Sequence, residues 1–417
     1  MSIARAITIA FVLACFSAGV VAFVSRTPAS VRAAQIDHGD GTAAFTDVQI
    51  ARHGAFHGPL YLAFGLGLVT QVVFLLLLRG PAIGQLAAWA QRAPGGWAVH
   101  AAIVAGVLAV AVAVIAFPLG YIRGFVIQHA WHLSTQAVPA WMLDQVKGLG
   151  LSCAFAAIAA IAFFGVVRWQ PKWWWLWGAG SFTVLTAVLV FLFPIVIAPL
   201  FNRFTPLQDR VLSDRIEGLA ADAGVHIDRI VVADASRRST AENAYVAGIG
   251  ASKQVVLYDT LIEGNEVDET LFVVAHEFGH EAHGDVLKGV GISAVGLFAG
   301  FAVLGWLVSS GRLLAWAGVD GPADLRLLPV LLLFALVAGL VTQPVQNAIS
   351  RSFEAHADHF AFELTGDPAP AIRAFRRLAI SNIADLDPPA VAVWMFYSHP
   401  PIADRIEAAR AAESAKP

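Results

Sequence analysis

Seven stretches of this chain are long and apolar enough to cross a bilayer with ~30 Å of hydrocarbon. They lie near residues 3–24, 58–78, 97–119, 150–167, 174–200, 286–310 and 327–347. Inside hydrocarbon, a backbone N–H or C=O has no water to bond, so each stretch must be a helix. Composition agrees. The chain is 58% hydrophobic and 14% charged, whereas a soluble domain is nearer half apolar and a quarter charged. Its 417 residues leave room for one soluble lobe. The first stretch follows Arg5, as in a signal peptide. Its long apolar run and the lack of a small-residue cleavage site favour an uncleaved first span. Trp173, Trp174, Trp175 and Trp177 follow Lys172, as an interfacial aromatic belt would. The expected fold is mostly α and polytopic, with about seven transmembrane helices and a small α+β lobe. Residues 1–200 form an N-terminal membrane domain with five spans. Residues 201–417 form a second domain with the lobe, two spans and a C-terminal helical segment.

Charge gives the orientation. With the N-terminus outside, the inner segments 25–57, 120–149, 201–285 and 348–417 carry most of the 27 Lys and Arg. The positive-inside rule then puts the lobe and the C-terminus in the cytoplasm. The modest length and cytoplasmic lobe point to a bacterial inner membrane. A formal net charge of −3 argues against a nucleic-acid partner.

The lobe, 201–285, opens with a helix signal: Thr205 as N-cap and Pro206 at the first helical position. Leu207, Val211, Leu212, Ile216 and Leu219 continue it as a stripe, and Gly224 stops it. Strands are expected at 229–233, 244–249 and 254–258, the last two joined as a hairpin through 250–253. Asn265 is placed to cap a helix that runs on towards the sixth span. After the seventh span, 349–364 is again helical. Gly366, Asp367 and Pro368 break it, and 370–380 resumes it.

The chemistry sits in the lobe's last helix, as His276-Glu277-Phe278-Gly279-His280. Positions i and i+4 share a helix face, so the two imidazoles can hold one metal ion. Glu277 then sits beside the open position, where a carboxylate can act as general base. Cys15 and Cys153 both lie in apolar segments and offer neither a disulfide framework nor a thiolate site. The metal ligands must therefore be His and carboxylate, which suits zinc without excluding cobalt or manganese. A third ligand is expected on a downstream helix. Glu354 and Asp358 are i and i+4, so Glu354 can bind the ion while Asp358 accepts the outer N–H of a ligating imidazole. Two membrane spans separate His280 from Glu354. His283, His356 and His359 lie on other faces, and Asp285 is a supporting or capping group.

Taken in order, these motifs resemble the type I CAAX prenyl proteases, integral-membrane zinc metallopeptidases. The residues that carry the resemblance are Phe201-Asn202-Arg203-Phe204-Thr205-Pro206-Leu207, Asn243-Ala244-Tyr245-Val246-Ala247-Gly248 and Val255 to Leu261. With them stand His276 to His280, Ser350 to Asp358, and Ser398-His399-Pro400-Pro401 with Arg405; His132 to Gln136 resembles a loop before the fourth span. The resemblance implies seven membrane helices ringed around a water-filled chamber, capped by the protease lobe. It implies one Zn2+ per chain on His276, His280 and Glu354, with Glu277 as general base. It implies cleavage after a prenylated cysteine in C-terminal C-a-a-X tails. His399 is then the candidate donor to the tetrahedral intermediate, with Arg405 as supporting charge. Asn243, Ala244 and Tyr245 are expected to form an edge strand that pairs with an extended substrate. The partners are a peptide or protein, lipidated or not, and the lipid bilayer. Two other readings stay open at this level. One is a quality-control protease acting on membrane proteins; the other is a non-catalytic transporter or chamber protein.

Overall fold

A computed structural model describes residues 1–32, 45–248, 250 and 253–414. Among them, seven helical segments are long and apolar enough to span a membrane. The helices that organise the chain are α1 (Ile3–Val24), α2 (Asp47–Leu78), α3 (Trp97–Tyr121), α4 (Val138–Trp169) and α5 (Trp174–Leu192). They continue with α6 (Arg210–Asp222), α7 (Val267–His283), α8 (Asp285–Ser309), α9 (Leu328–Thr365), α10 (Ala369–Ser381) and α11 (Ile402–Ser414). The spanning helices turn apolar side chains outwards, as lipid requires: Phe16, Trp306 and Val341 are all well exposed. Their inward faces meet in an apolar core built by Phe74, Leu78, Val104, Leu108, Phe164 and Trp174.

Several helices run further than the hydropathy suggests. α2 starts at Asp47 behind a capping box, in which Thr46 and Gln49 satisfy each other's backbone N–H groups. α4 starts at Val138, and its Asp144 and Lys147 are bonded rather than marking a loop: Asp144 takes Arg238 of the lobe at 2.8 Å, and Lys147 donates to Leu200 O at 2.8 Å. Two helices end in π-turns, Ile122–Val126 and Phe193–Ile197. Pro194 lies within the second of these, and a proline removes the i→i−4 bond that would hold a regular turn.

The lobe holds a four-stranded sheet in the order β1-β2-β4-β3. The strands are β1 (Phe204–Pro206), β2 (Arg229–Ala233), β3 (Ala244–Ala247) and β4 (Gln254–Tyr258). β2 and β4 are parallel; the outer pairs are antiparallel. Thr205 and Pro206 thus form an edge strand against Val232 and Val231, not a helix start. Pro is tolerated there because an edge strand can turn away its missing N–H. Asp209 caps α6 instead, accepting from Leu212 N at 3.1 Å. Residues 249, 251 and 252, within the expected second strand and turn, lie outside the described residues. Leu212 and Ile216 of α6, Val255 and Leu257 of β4, and Val274 and Phe278 of α7 form the lobe's core.

α7 does not run into the sixth span. Gly284 adopts φ 65° after His283 and ends it, and α8 begins afresh at Asp285. Asn265 is not its cap: that position is Glu266, while the Asn265 side chain bonds Glu242 and Leu261 O. α9, by contrast, is one helix of 38 residues, joining the seventh span to the segment with Glu354 and Asp358. α7 and α9 meet at Gly279, where a Cβ would stand 2.9 Å from Ala357 Cα and 3.1 Å from its carbonyl oxygen. Both atoms are backbone and cannot swing aside. Gly279→Ala should therefore cost about 1–3 kcal/mol and lower the protein's metal content, read together as melting temperature in detergent and bound metal per chain. Unchanged values for both would show that the helices separate without consequence.

Candidate metal centre

One turn of α7 and one turn of α9 make the centre. His276 is buried, and its Nε2 lies 3.2 Å from His280 Nε2. Glu354, also buried, closes the triangle: Oε2 is 3.2 Å from His276 Nε2, and Oε1 is 3.5 Å from His280 Nε2. The three groups offer ligand atoms that all lie within 4.8 Å of one another. No other such group of His, Cys, Asp or Glu occurs among the described residues.

The outer nitrogens show why a cation fits. His276 Nδ1 is 2.8 Å from Asp358 Oδ1, and His280 Nδ1 is 2.9 Å from Asp285 Oδ2. In the neutral form each imidazole donates its Nδ1–H to that carboxylate, which leaves both Nε2 lone pairs turned inwards for a cation. Glu354 Oε2 is buried there without a hydrogen bond, despite its closeness to His276. Two lone pairs and a carboxylate facing one point repel unless positive charge sits between them. Two nitrogens and one oxygen with an open side form the donor set of a catalytic zinc. The same field acts on protons. Burial opposes charge on His276, but Asp358 and Glu354 outweigh it and raise its pKa to about 9.

The remaining groups line a cavity of about 540 Å³ beside the triangle, including Asn243, Glu277, Tyr397, His399 and Arg405. Burial raises the Glu277 carboxyl above the usual range, against the pull of the two imidazoles. A carboxylate so placed takes up a proton more readily than one in water. His399 Nε2 reaches Glu354 Oε1 at 3.2 Å, while more than half of its side chain stays exposed. Arg405 is not free to face the cavity alone. It grips Asp358 through two bonds of 2.8 and 2.6 Å, and its guanidinium lies 4.4 Å over the Phe375 ring. Asn243 faces the cavity, just before β3. Ala244 is buried in the lobe core, and Tyr245 pairs with Val256. His283 bonds Gly279 O within its own helix, and His359 meets only the exposed Glu363. Asp285 holds His280, Tyr397 lies next to Ser398 in the cavity wall, and Asn382 and Tyr61 complete that wall. The first two were within reach of the sequence, one beside the zinc motif and one beside Ser398-His399. Asn382 and Tyr61 carry no local signal.

An H-E-x-x-H helix completed by a carboxylate, in a protein with seven membrane-length helices, defines an integral-membrane metalloendopeptidase. The family models agree: peptidase family M48 matches residues 206–413, and the CAAX prenyl protease N-terminal model, with five membrane helices, matches 61–203. The chain belongs to the CAAX prenyl protease family of M48 metallopeptidases. It is 32% identical over 311 residues to the Bacillus subtilis metalloprotease YhfN, across 74% of this chain and 73% of that one. It is 31% identical over 309 residues to CAAX prenyl protease 1 of Saccharomyces cerevisiae, across 70% and 68% of the two chains. Its fold matches the crystal structure of S. mikatae Ste24p with a TM-score of 0.77 and 23% identity, over 97% of this chain and 99% of that one. The protein is a membrane protease that acts on peptide or protein substrates, and the non-catalytic reading falls. Asp358→Asn should weaken metal binding about 10–100-fold, read by competition with a chelator; unchanged affinity would deny Asp358 its hold on His276.

Proposed function

We propose that His276, His280 and Glu354 hold one Zn2+ and that Glu277 is the general base of peptide hydrolysis. The observation that carries this reading is the triangle itself: two inward Nε2 atoms and an unbonded buried carboxylate oxygen, with Glu277 in the adjoining cavity. When bound, zinc supplies a Lewis acid that lowers the pKa of water at its open position to about 7. Glu277 takes a proton from the attacking water and passes it to the leaving nitrogen as the C–N bond breaks. The water's oxygen ends on the acyl carbon, so the products are a carboxylate and an amine. His399 lines the same cavity as the base and donates to the oxygen that gains charge in the tetrahedral intermediate. Arg405 supports it through Asp358, keeping that carboxylate ionised against His276.

The substrate lies along β3. This strand is the open edge of the sheet, and Asn243 just before it faces the cavity. Tyr258 N donates to Asn243 O at 3.0 Å. By the two-residue alternation, Ala244 and Val246 turn their N–H and C=O groups to the free side, where an extended peptide can pair. Relatives bear the name CAAX prenyl protease 1, and we assign this chain the same class of substrate, a C-terminal C-a-a-X tail carrying an isoprenoid. We assign the lobe to the cytoplasmic side of a bacterial inner membrane; the excess of Lys and Arg in its segments supports the orientation. The chain divides at residue 200, between five membrane helices and the domain with the metal.

Four measurements bear on these assignments. Glu277→Gln should cut hydrolysis by about 10²–10⁴-fold with bound zinc unchanged; full activity would remove the general base. Glu354→Ala should empty the site of metal, and retained zinc would mean that another group is the third ligand. A chelator should abolish activity and added zinc restore it. A prenylated C-a-a-X peptide should be cut in preference to its unprenylated twin. Equal rates would favour a quality-control protease with the same chemistry.

A further inference from the structure

Two residues other than glycine have positive φ among those described, His132 at 59° and Ile383 at 47°. L side chains rarely adopt that conformation, and for a β-branched residue it is an outlier that the surroundings must enforce. Both strained residues flank the same segment, 238–243, which leads into β3.

On one side stands the loop after α3. Thr240 N donates to Leu133 O at 3.2 Å, and Thr240 Oγ1 donates to His132 O at 3.2 Å. Thr135 N donates to Arg238 O at 3.2 Å, and Ser134 forms a bridge with Ser239. On the other side stands Asn382. Its Oδ1 accepts from Glu242 N at 3.1 Å, and its Nδ2 donates to Glu242 O at 3.3 Å. One side-chain amide thus does for Glu242 what a neighbouring strand would do. The next three residues reach the membrane domain. The Ile383 side chain is buried with Val21, Phe56, Ala63, Ile127, Trp131 and Leu133. Its carbonyl meets His57 Nε2 at 2.6 Å, and the Ala384 carbonyl meets His53 Nδ1 at 2.6 Å. Tyr61 donates to Asp385 Oδ2 at 2.8 Å. His53, His57 and Tyr61 are four residues apart, on one face of α2.

We propose that residues 382–385 are a strap that fixes the substrate-pairing edge to the membrane helices, with Asn382 as its positioning residue. The αL turn at Ile383 makes this possible, since it sends Asn382 to the lobe while its own side chain enters the membrane domain. Asn382 acts through Glu242 and Asn243, not on the reacting atoms. The proposal rests on the reading that β3 pairs with substrate, and the test separates the two.

The full chain in detergent is assayed on an extended fluorogenic peptide and on copies of it N-methylated at alternate backbone nitrogens. Kinetics, bound zinc and melting temperature are measured for the parent, Asn382→Ala, Asn382→Asp and His57→Phe. Asn382→Ala should raise KM about tenfold, the loss of roughly one net hydrogen bond, with kcat and zinc content held. Asn382→Asp keeps the acceptor for Glu242 N and should recover part of the loss. His57→Phe, at the membrane end, should raise KM in the same direction; it carries the test if Asn382→Ala does not fold. N-methylation that raises KM, while the strap variants leave KM unchanged, would overturn the strap and keep the edge reading. N-methylation without effect would overturn both. A loss of zinc or kcat at constant KM would also overturn the strap, showing support of the metal helix instead.

Discussion

The contact on which the structure depends is the approach of α7 to α9 at Gly279. Only a residue without Cβ lets the Ala357 backbone come so near. Three residues towards the N-terminus of α7 is His276, and three residues towards the N-terminus of α9 is Glu354. Because helical neighbours at i±3 and i±4 share a face, this one contact sets both ligands opposite each other. The rest of the lobe holds α7 in that place. Val274 and Phe278 pack on the sheet, and Phe272 packs on Phe362 and Phe375 from the other side.

Around the triangle runs a second ring of charge that keeps the first ring oriented. Asp358 and Asp285 hold the outer nitrogens, Arg405 holds Asp358 with two bonds, and Lys288 lies 3.4 Å from Asp285. The members of this ring come from α8, α9 and α11, all within the second domain. A buried carboxylate with a bidentate arginine stays ionised. It can therefore accept a hydrogen bond from the imidazole Nδ1–H, which leaves Nε2 to face the metal's side.

Much of this was legible in the sequence, and the reasons are local. The i, i+4 pairs His276/His280 and Glu354/Asp358 each state their geometry within one helical turn, and the ligand triangle and the Asp358 contact follow from it. The spans announce themselves by hydropathy, though their ends do not: α2 runs on with polar residues that bond the 383–385 segment, and α4 with Asp144 bonded to Arg238 of the lobe. The start of α6 was misplaced because Thr205-Pro206 is a good cap signal in isolation, and pairing with β2 overrode it. The break at Gly284 needed a backbone sign that a lone glycine does not reveal. Asn382 and the turn at Ile383 were invisible, since nothing in their neighbourhood marks them until α2 is packed against them. Arg405 was placed near the chemistry by motif, but its bond to Asp358 depends on α11 folding back over α10.

The 38 continuous residues of α9 carry a consequence for biosynthesis. The ribosome makes His276, Glu277 and His280 before the last two membrane crossings have begun. The carboxylate that completes the centre emerges only after those crossings, and Arg405 close to the end of the chain. The groups that face one another across Gly279 can thus meet only after both crossings have been made.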